Sequence, residues 1–174
     1  MATDRPRVIV GVSGSPGSLH ALRCAVAEAR LRDREVWSVI AWIPQGGELA
    51  YGRFPCPTLL RIWRDAAAGR MLTAWEEALG GVPPDLTVHM IAPRGTPGPM
   101  LVQLADRDGD LLVVGAGTRN VLVRTLTRSV SRYCLARARC AVLTVPPPPL
   151  ERELAHHPLA RRRIIRQITR SHAH

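Results

Sequence analysis

Residues 7–43 read RVIVGVSGSPGSLHALRCAVAEARLRDREVWSVIAWI, and this stretch decides the fold. Arg7 to Val12 is a short, β-branched apolar run closed by Gly11, Gly14, Pro16 and Gly17, the pattern of a buried strand followed by a turn. From Ser18 onward Leu19, Leu22, Ala25, Val26 and Ala29 recur at helical spacing. Arg30, Arg32 and Arg34 gather where positive charge suits a helix C-terminus. Val36 to Ile43 is again almost continuously apolar, as a parallel strand covered on both faces requires. Strand, helix and strand have then appeared once, in the order of a crossover unit.

Outward from this unit the alternation continues. Pro44 to Pro57, with Gly46, Gly47, Gly52 and Pro55, reads as a long loop. Leu59 to Leu79 reads as a helix, with Leu60, Trp63, Ala67, Met71, Trp75 and Ala78 on one side. Leu86 to Ala92 reads as the third strand, Gly95 to Arg107 as a short helix after a turn, and Asp110 to Val114 as the fourth strand. Ser129 to Ala138 has helical spacing, and Ala141 to Val145 is a fifth strand ended by four prolines. The expected fold is α/β, a doubly wound five-stranded parallel sheet with helices on both faces and a ligand cleft at the C-terminal strand ends. Residues 1–149 form the expected domain and 150–174 a basic C-terminal tail.

At 174 residues, 46% hydrophobic and 22% charged, the chain has the composition of one soluble domain. It has no apolar run long enough for a membrane span and no signal-peptide pattern at its start, so the expected location is the cytoplasm. The net charge of +10 comes from 24 basic residues, all arginine. A pattern so uniform reads as codon bias more than as a nucleic-acid footprint. In the tail, Leu159 to Arg170 sets Ala160, Ile164 and Ile168 against Arg161, Arg162 and Arg166, an amphipathic pattern suited to an acidic protein partner. A nucleic-acid or anionic membrane surface is the alternative for such a tail.

Catalytic signatures are thin. A Walker-type loop needs a lysine, and the chain contains none. Gly115-Ala-Gly117-Thr-Arg-Asn120 follows the fourth strand and lacks the third glycine of a dinucleotide fingerprint. Ser13 stands at a strand end, but the GxSxG pattern of a nucleophile elbow is absent because Ser15 holds the place of its second glycine, and His20 and His89 have no partners visible in sequence. Cys24, Cys56, Cys134 and Cys140 have no metal-ligand spacing. The tryptophans at 37, 42, 63 and 75 read as packing residues.

The opening VIVGVSGSPGSLHALRCAVAEARLRDREVWSVIAW and the closing LLVVGAGTRNVLVRTLTRSVSRYCLARARCAVLTVP resemble the universal stress protein family, over about Arg7 to Pro146. The resemblance implies a five-stranded parallel sheet of order 3-2-1-4-5 and a homodimer, expected here to pair through the uncharged fifth strand. It also implies a regulatory role in a bacterial stress response, with ATP binding in one subset of members.

That subset carries an Asp after strand one, a Gly-x-x-Gly after strand four, and a Gly before a Ser or Thr at the last helix. Here those positions hold Ser13, Thr118 and Arg128. The residues implied to line the cleft are Val12, Ser13, Ala41, Gly115, Gly117, Arg119, Arg128, Ser129, Val130 and Ser131. A side chain at a positive-φ glycine position costs about 1–2 kcal/mol and a lost charge-assisted hydrogen bond about 1.5–3 kcal/mol. Together these predict ATP affinity weakened on the order of a hundredfold or to nothing. Arg119, Arg124, Arg128 and Arg132, with Ser129 and Ser131, keep an anion-attracting character at the same place. An ATP-dependent switch or slow ATPase is the alternative reading; no catalytic residue and no metal ligand is assigned.

Overall fold

A computed structural model describes residues 5–116 and 130–148. Five strands, β1 (Arg7–Gly11), β2 (Glu35–Val39), β3 (Val88–Ile91), β4 (Leu111–Gly115) and β5 (Ala141–Val145), form one sheet of order β3-β2-β1-β4-β5. Every pairing is parallel, with Val8 level with Val36 on one side and Leu111 on the other. The order reverses at β1 and β4, so the expected doubly wound architecture is observed and the crevice lies beyond Gly11 and Gly115.

Among the described residues, five helices fill the connections: α1 (Pro16–Leu31), α2 (Gly47–Arg53), α3 (Pro57–Leu79), α4 (Pro97–Leu104) and α5 (Val130–Arg137). Strand alternation divides the core in two. Val8, Val10, Val36 and Val113 face Leu22, Val26, Met71 and Trp75 of α1 and α3. Ile9, Val39, Leu112 and Val114 face Leu101 and Cys134 of α4 and α5. Both faces of β1 are fully buried, which explains why its sequence is apolar without alternation.

Several boundaries differ from the sequence expectation: α3 starts at Pro57 and not Leu59, β3 shortens to Val88–Ile91 and α4 to Pro97–Leu104. The segment Pro44 to Pro57 is not one loop, since Gly47–Arg53 winds into α2. Gly46 takes the left-handed φ of 82° that starts this turn, and the Glu48 carboxylate ties it to Arg94 across the sheet end. Strand β2 stops at Val39 and not at Ile43; beyond it Trp42 forms only an isolated bridge to Arg94. There the Trp42 N–H donates to Pro93 O (3.1 Å), the Gly95 N–H to Trp42 O (2.8 Å) and the Trp42 indole to Ala92 O (2.9 Å). Helix α1 begins two residues early, because Ser15 caps it and Pro16 at the first position already has the helical φ.

At the opposite end of the sheet, Arg7 enters the core. Its guanidinium donates to both Asp110 oxygens (2.9 and 2.6 Å), to Asp106 (2.7 Å) and to Leu104 O (3.2 Å), and lies 4.6 Å over the Trp37 ring. Burial of a charge this deep is tolerated because Nε and Nη2 meet acceptors, among them both oxygens of the buried Asp110 carboxylate. Those hydrogen bonds, Asp110 first, raise the Arg7 pKa further above its ordinary value.

Candidate functional site

The cleft is built from the turn after β1. Val12 is buried and its N–H donates to Val39 O (2.8 Å), so the chain leaves the sheet still paired to β2. Ser13 follows on the surface. Its N–H donates to Ser18 Oγ (3.2 Å) and its hydroxyl lies 3.0 Å from Ser15 Oγ. Ser15 Oγ accepts from the Ser18 N–H (3.3 Å), and Ser18 Oγ donates back to Ser15 O (2.9 Å). Gly14, with φ at 77°, makes the bend that lets three serines close on one another. The first turn of α1, where orphan amides would meet an anion, is thus partly satisfied by its own loop.

Gly115 ends β4 directly against this helix. A Cβ at Gly115 would lie 2.9 Å from Gly17 O and 3.1 Å from the Gly17 carbonyl carbon, so any side chain would have to push the backbone of α1 away. The next residue, Ala116, donates its N–H to Val145 O (2.8 Å), and His20 Nδ1 lies 3.1 Å from Pro146 O. The ends of β1, β4 and β5 are therefore held together around the start of α1. Ala41 lies half-buried past the end of β2, beside β1 in the strand order.

Val130 and Ser131 open the described part of α5; Val130 packs against the core cluster of α4 and α5, and Ser131 is buried. Arg132 is exposed. Of the expected site, Val12, Ser13, Ala41 and Gly115 sit at neighbouring strand ends, with Val130 and Ser131 on the helix that precedes β5. Gly117, Thr118, Arg119, Arg124, Arg128 and Ser129 lie outside the described residues.

One polar cluster near the cleft was not legible as a unit. Arg94 makes a two-pronged ion pair with Glu48 and lies 4.8 Å over the Tyr51 ring, which meets Trp63 edge-on at 6.3 Å. Arg94 holds the Glu48 carboxyl below its usual range. The signal was Glu-Leu-Ala-Tyr after the paired glycines, a run of helix-compatible residues. A separate cleft of about 350 Å³, lined by Glu28, Arg32, Arg34 and Asp108, opens at the far end of β4 and β5. Glu28 and Arg32 pair there at 3.1 Å, and the sheet separates that cleft from the serine turn. Among the described residues no group of His, Cys, Asp and Glu is placed to hold a metal ion, and no helix is long and apolar enough to cross a membrane.

A family model described as the universal stress protein family matches residues 5–146. The chain is similar to universal stress protein Rv1996 of Mycobacterium tuberculosis, at 29% identity over 140 residues, or 78% of this chain and 42% of that protein. It is similar also to a universal stress protein of Mycolicibacterium smegmatis, at 28% over 150 residues, or 83% of this chain and 47% of that one. The chain therefore spans less than half the length of these curated relatives.

Among solved structures, a universal stress protein in complex with cAMP is 28% identical, with a TM-score of 0.52 over 83% of this chain and 98% of that one. Protein MJ0577, at 19% identity and a TM-score of 0.64 over 83% and 97%, shows the shared fold. The sheet order, the cleft between β1 and β4, and the match over residues 5–146 agree: the chain belongs to the universal stress protein family.

Proposed function

We propose that this protein is a cytoplasmic regulatory module of a bacterial stress response whose nucleotide cleft is degenerate, binding ATP weakly or not at all. The observation that carries the reading is Ser13. Where the ATP-binding subset has a carboxylate, this chain presents a short hydroxyl engaged with Ser15 inside its own turn. Thr118 and Arg128, in place of two glycines, add side chains where a triphosphate would need close backbone approach. The chain further pairs with a second copy through the open edge of β5, and its basic tail from residue 150 meets an acidic partner.

The solved relative that holds cAMP favours a second reading, in which the same cleft takes an adenine nucleotide with a single phosphate. Such a ligand asks for fewer of the missing glycine contacts than ATP does. Calorimetric titration of the full chain with ATP and with cAMP, beside a Ser13→Asp, Thr118→Gly, Arg128→Gly triple variant, tests both. The expected result is at least tenfold tighter ATP binding by the triple variant, about 1.4 kcal/mol. Low-micromolar ATP binding by the unaltered chain would overturn the degenerate cleft and favour a nucleotide switch. Micromolar cAMP binding with weak ATP binding would select the second reading.

A further inference from the structure

Strand β5 is left partly bare on the face that carries α1. That helix packs chiefly on β1 and β4, so Leu143 is only half-buried and Ala141 is exposed. With Leu111 these two side chains floor the cleft of about 350 Å³ at the start of β5, and Glu28 and Arg32 of α1 form its wall. Gly109 lies on its rim, where a side chain would meet nothing within 4 Å. The cleft is thus apolar below, open at the rim, and set beside an edge of the sheet that is free among the described residues.

The chain leaves β5 in the direction away from this cleft. Ala141 to Val145 covers about 13 Å of extended strand, and Pro146, Pro147 and Pro148 follow, each with a further proline after it. A proline before a proline is held extended, so these three continue for about 9 Å and cannot turn back within the run. Pro146 departs close to its own α1, its carbonyl oxygen 3.1 Å from His20 Nδ1. To reach its own cleft, the chain beyond Pro148 would have to reverse and retrace the run and the whole strand, about 22 Å.

We propose that the cleft is an intersubunit docking site, filled by Pro146–Pro148 of a second copy of this chain; the proposal rests on the β5 pairing put forward above. Direction selects this occupant. Antiparallel pairing across a two-fold axis turns the second strand around, and the prolines, having no N–H to give, confine the ladder to Ala141–Val145. Full overlap then sets Val145 of the second copy level with Ala141. Its Pro146 and Pro147 come level with Cys140 and Arg139, and β4 holds Gly109 two residues before Leu111, the partner of Ala141. The second copy's run therefore begins where this cleft opens. An axis normal to the sheet keeps the α1 helices of both copies on one side, so the run and the cleft share a face. Pro146 is exposed and Pro147 and Pro148 are half-buried in their own chain, which leaves ring surface to lie on Leu111, Ala141 and Leu143.

The test uses the full chain carrying Arg32→Cys and Pro148→Cys, an exposed wall residue and the last described proline. A short bismaleimide is added, the denatured products are separated by mass, and the linked peptides are identified in each band. The expected result is a link between positions 32 and 148 in the covalent dimer. The same link in the monomer band alone would put the chain's own segment in the cleft and overturn the proposal. Sedimentation of the same variant separates this proposal from the β5 pairing. A dimer without the link overturns the docking site and leaves the pairing standing, whereas a monomer up to a few hundred micromolar overturns both. In the otherwise unaltered chain, glycine in place of all four prolines from 146 to 149 should raise the dimer dissociation constant at least fivefold; an unchanged constant also overturns the docking site.

Discussion

Arg7 joins two carboxylates of very different exposure. Its side chain and that of Asp110 are 5% and 1% exposed, whereas Asp106 is 68% exposed. The two ion pairs are therefore unequal despite similar distances. Removing Arg7 leaves the Asp110 charge buried with its strongest partner gone, while removing the Asp106 charge only returns a solvated oxygen to water. Arg7→Met is expected to cost about 3–5 kcal/mol, lowering the thermal midpoint by roughly 10 °C. Asp106→Asn should cost less than about 1 kcal/mol, and urea unfolding of the two variants side by side measures the difference. This pairing was invisible in sequence, because the partners are separated by about a hundred positions and only the β1–β4 register brings them together.

Among the elements, the strands were legible and their ends were not. RVIVG and LLVVG read as strands because burial on both faces demands a nearly unbroken apolar run, and AVLTV reads as one although only Val145 of it is buried. The same rule extended β2 too far: past Val39, Ile40 and Trp42 stay buried in the core cluster beneath α1 and α3 but keep only scattered backbone hydrogen bonds toward the β3 side and one isolated bridge. Helix α2 was missed because flanking glycines and prolines outweighed seven residues that bury nothing. At the cleft, Val12, Ser13 and Gly115 could be placed from turn chemistry, while the Ser13–Ser15–Ser18 network depends on hydroxyl geometry that no spacing rule encodes.

The β5 edge follows from the strand order, which leaves it unpaired on one side among the described residues. Ala141 is exposed and Thr144 half-buried, but Val145 is buried and Leu143 packs on the core. Lysines at Leu143 and Val145 would therefore report on folding and not on pairing. With Ala141→Lys and Thr144→Lys, like charges face each other across the two-fold axis, and the mass at low micromolar concentration should fall by half in sedimentation. An unchanged mass would remove this edge as the dimer contact.

For the molecule as a whole, stability should have an acid limb and an alkaline limb. Hydrogen bonds from Arg7, Arg30 and Arg94 hold the carboxyls of Asp106, Asp85 and Glu48 below their ordinary range. A depressed folded-state pKa stabilises above the unfolded value and ceases to do so as pH falls through the folded one, so this contribution fades below about pH 4. Burial pushes the Cys134 thiol from 9.0 to about 11 and raises Cys24 and Cys140 as well. A raised pKa gives the opposite sign: the contribution is complete below the unfolded value and is lost as pH climbs from about 9 to 11. Urea midpoints measured across this range should form a plateau with both edges falling, and Cys134→Ala should flatten only the alkaline one.

The meeting of Gly115 with Gly17 has a mechanical consequence. Side-chain contacts can absorb a displacement by changing rotamers, but here two main chains approach so closely that a Cβ on Gly115 would lie 2.9 Å from Gly17 O. The tip of β4 and the first turn of α1 must travel together. Helix α1 packs in turn on β1, β4 and α3. A push delivered at the cleft is thus passed through α1 to α3, with the sheet as its bearing.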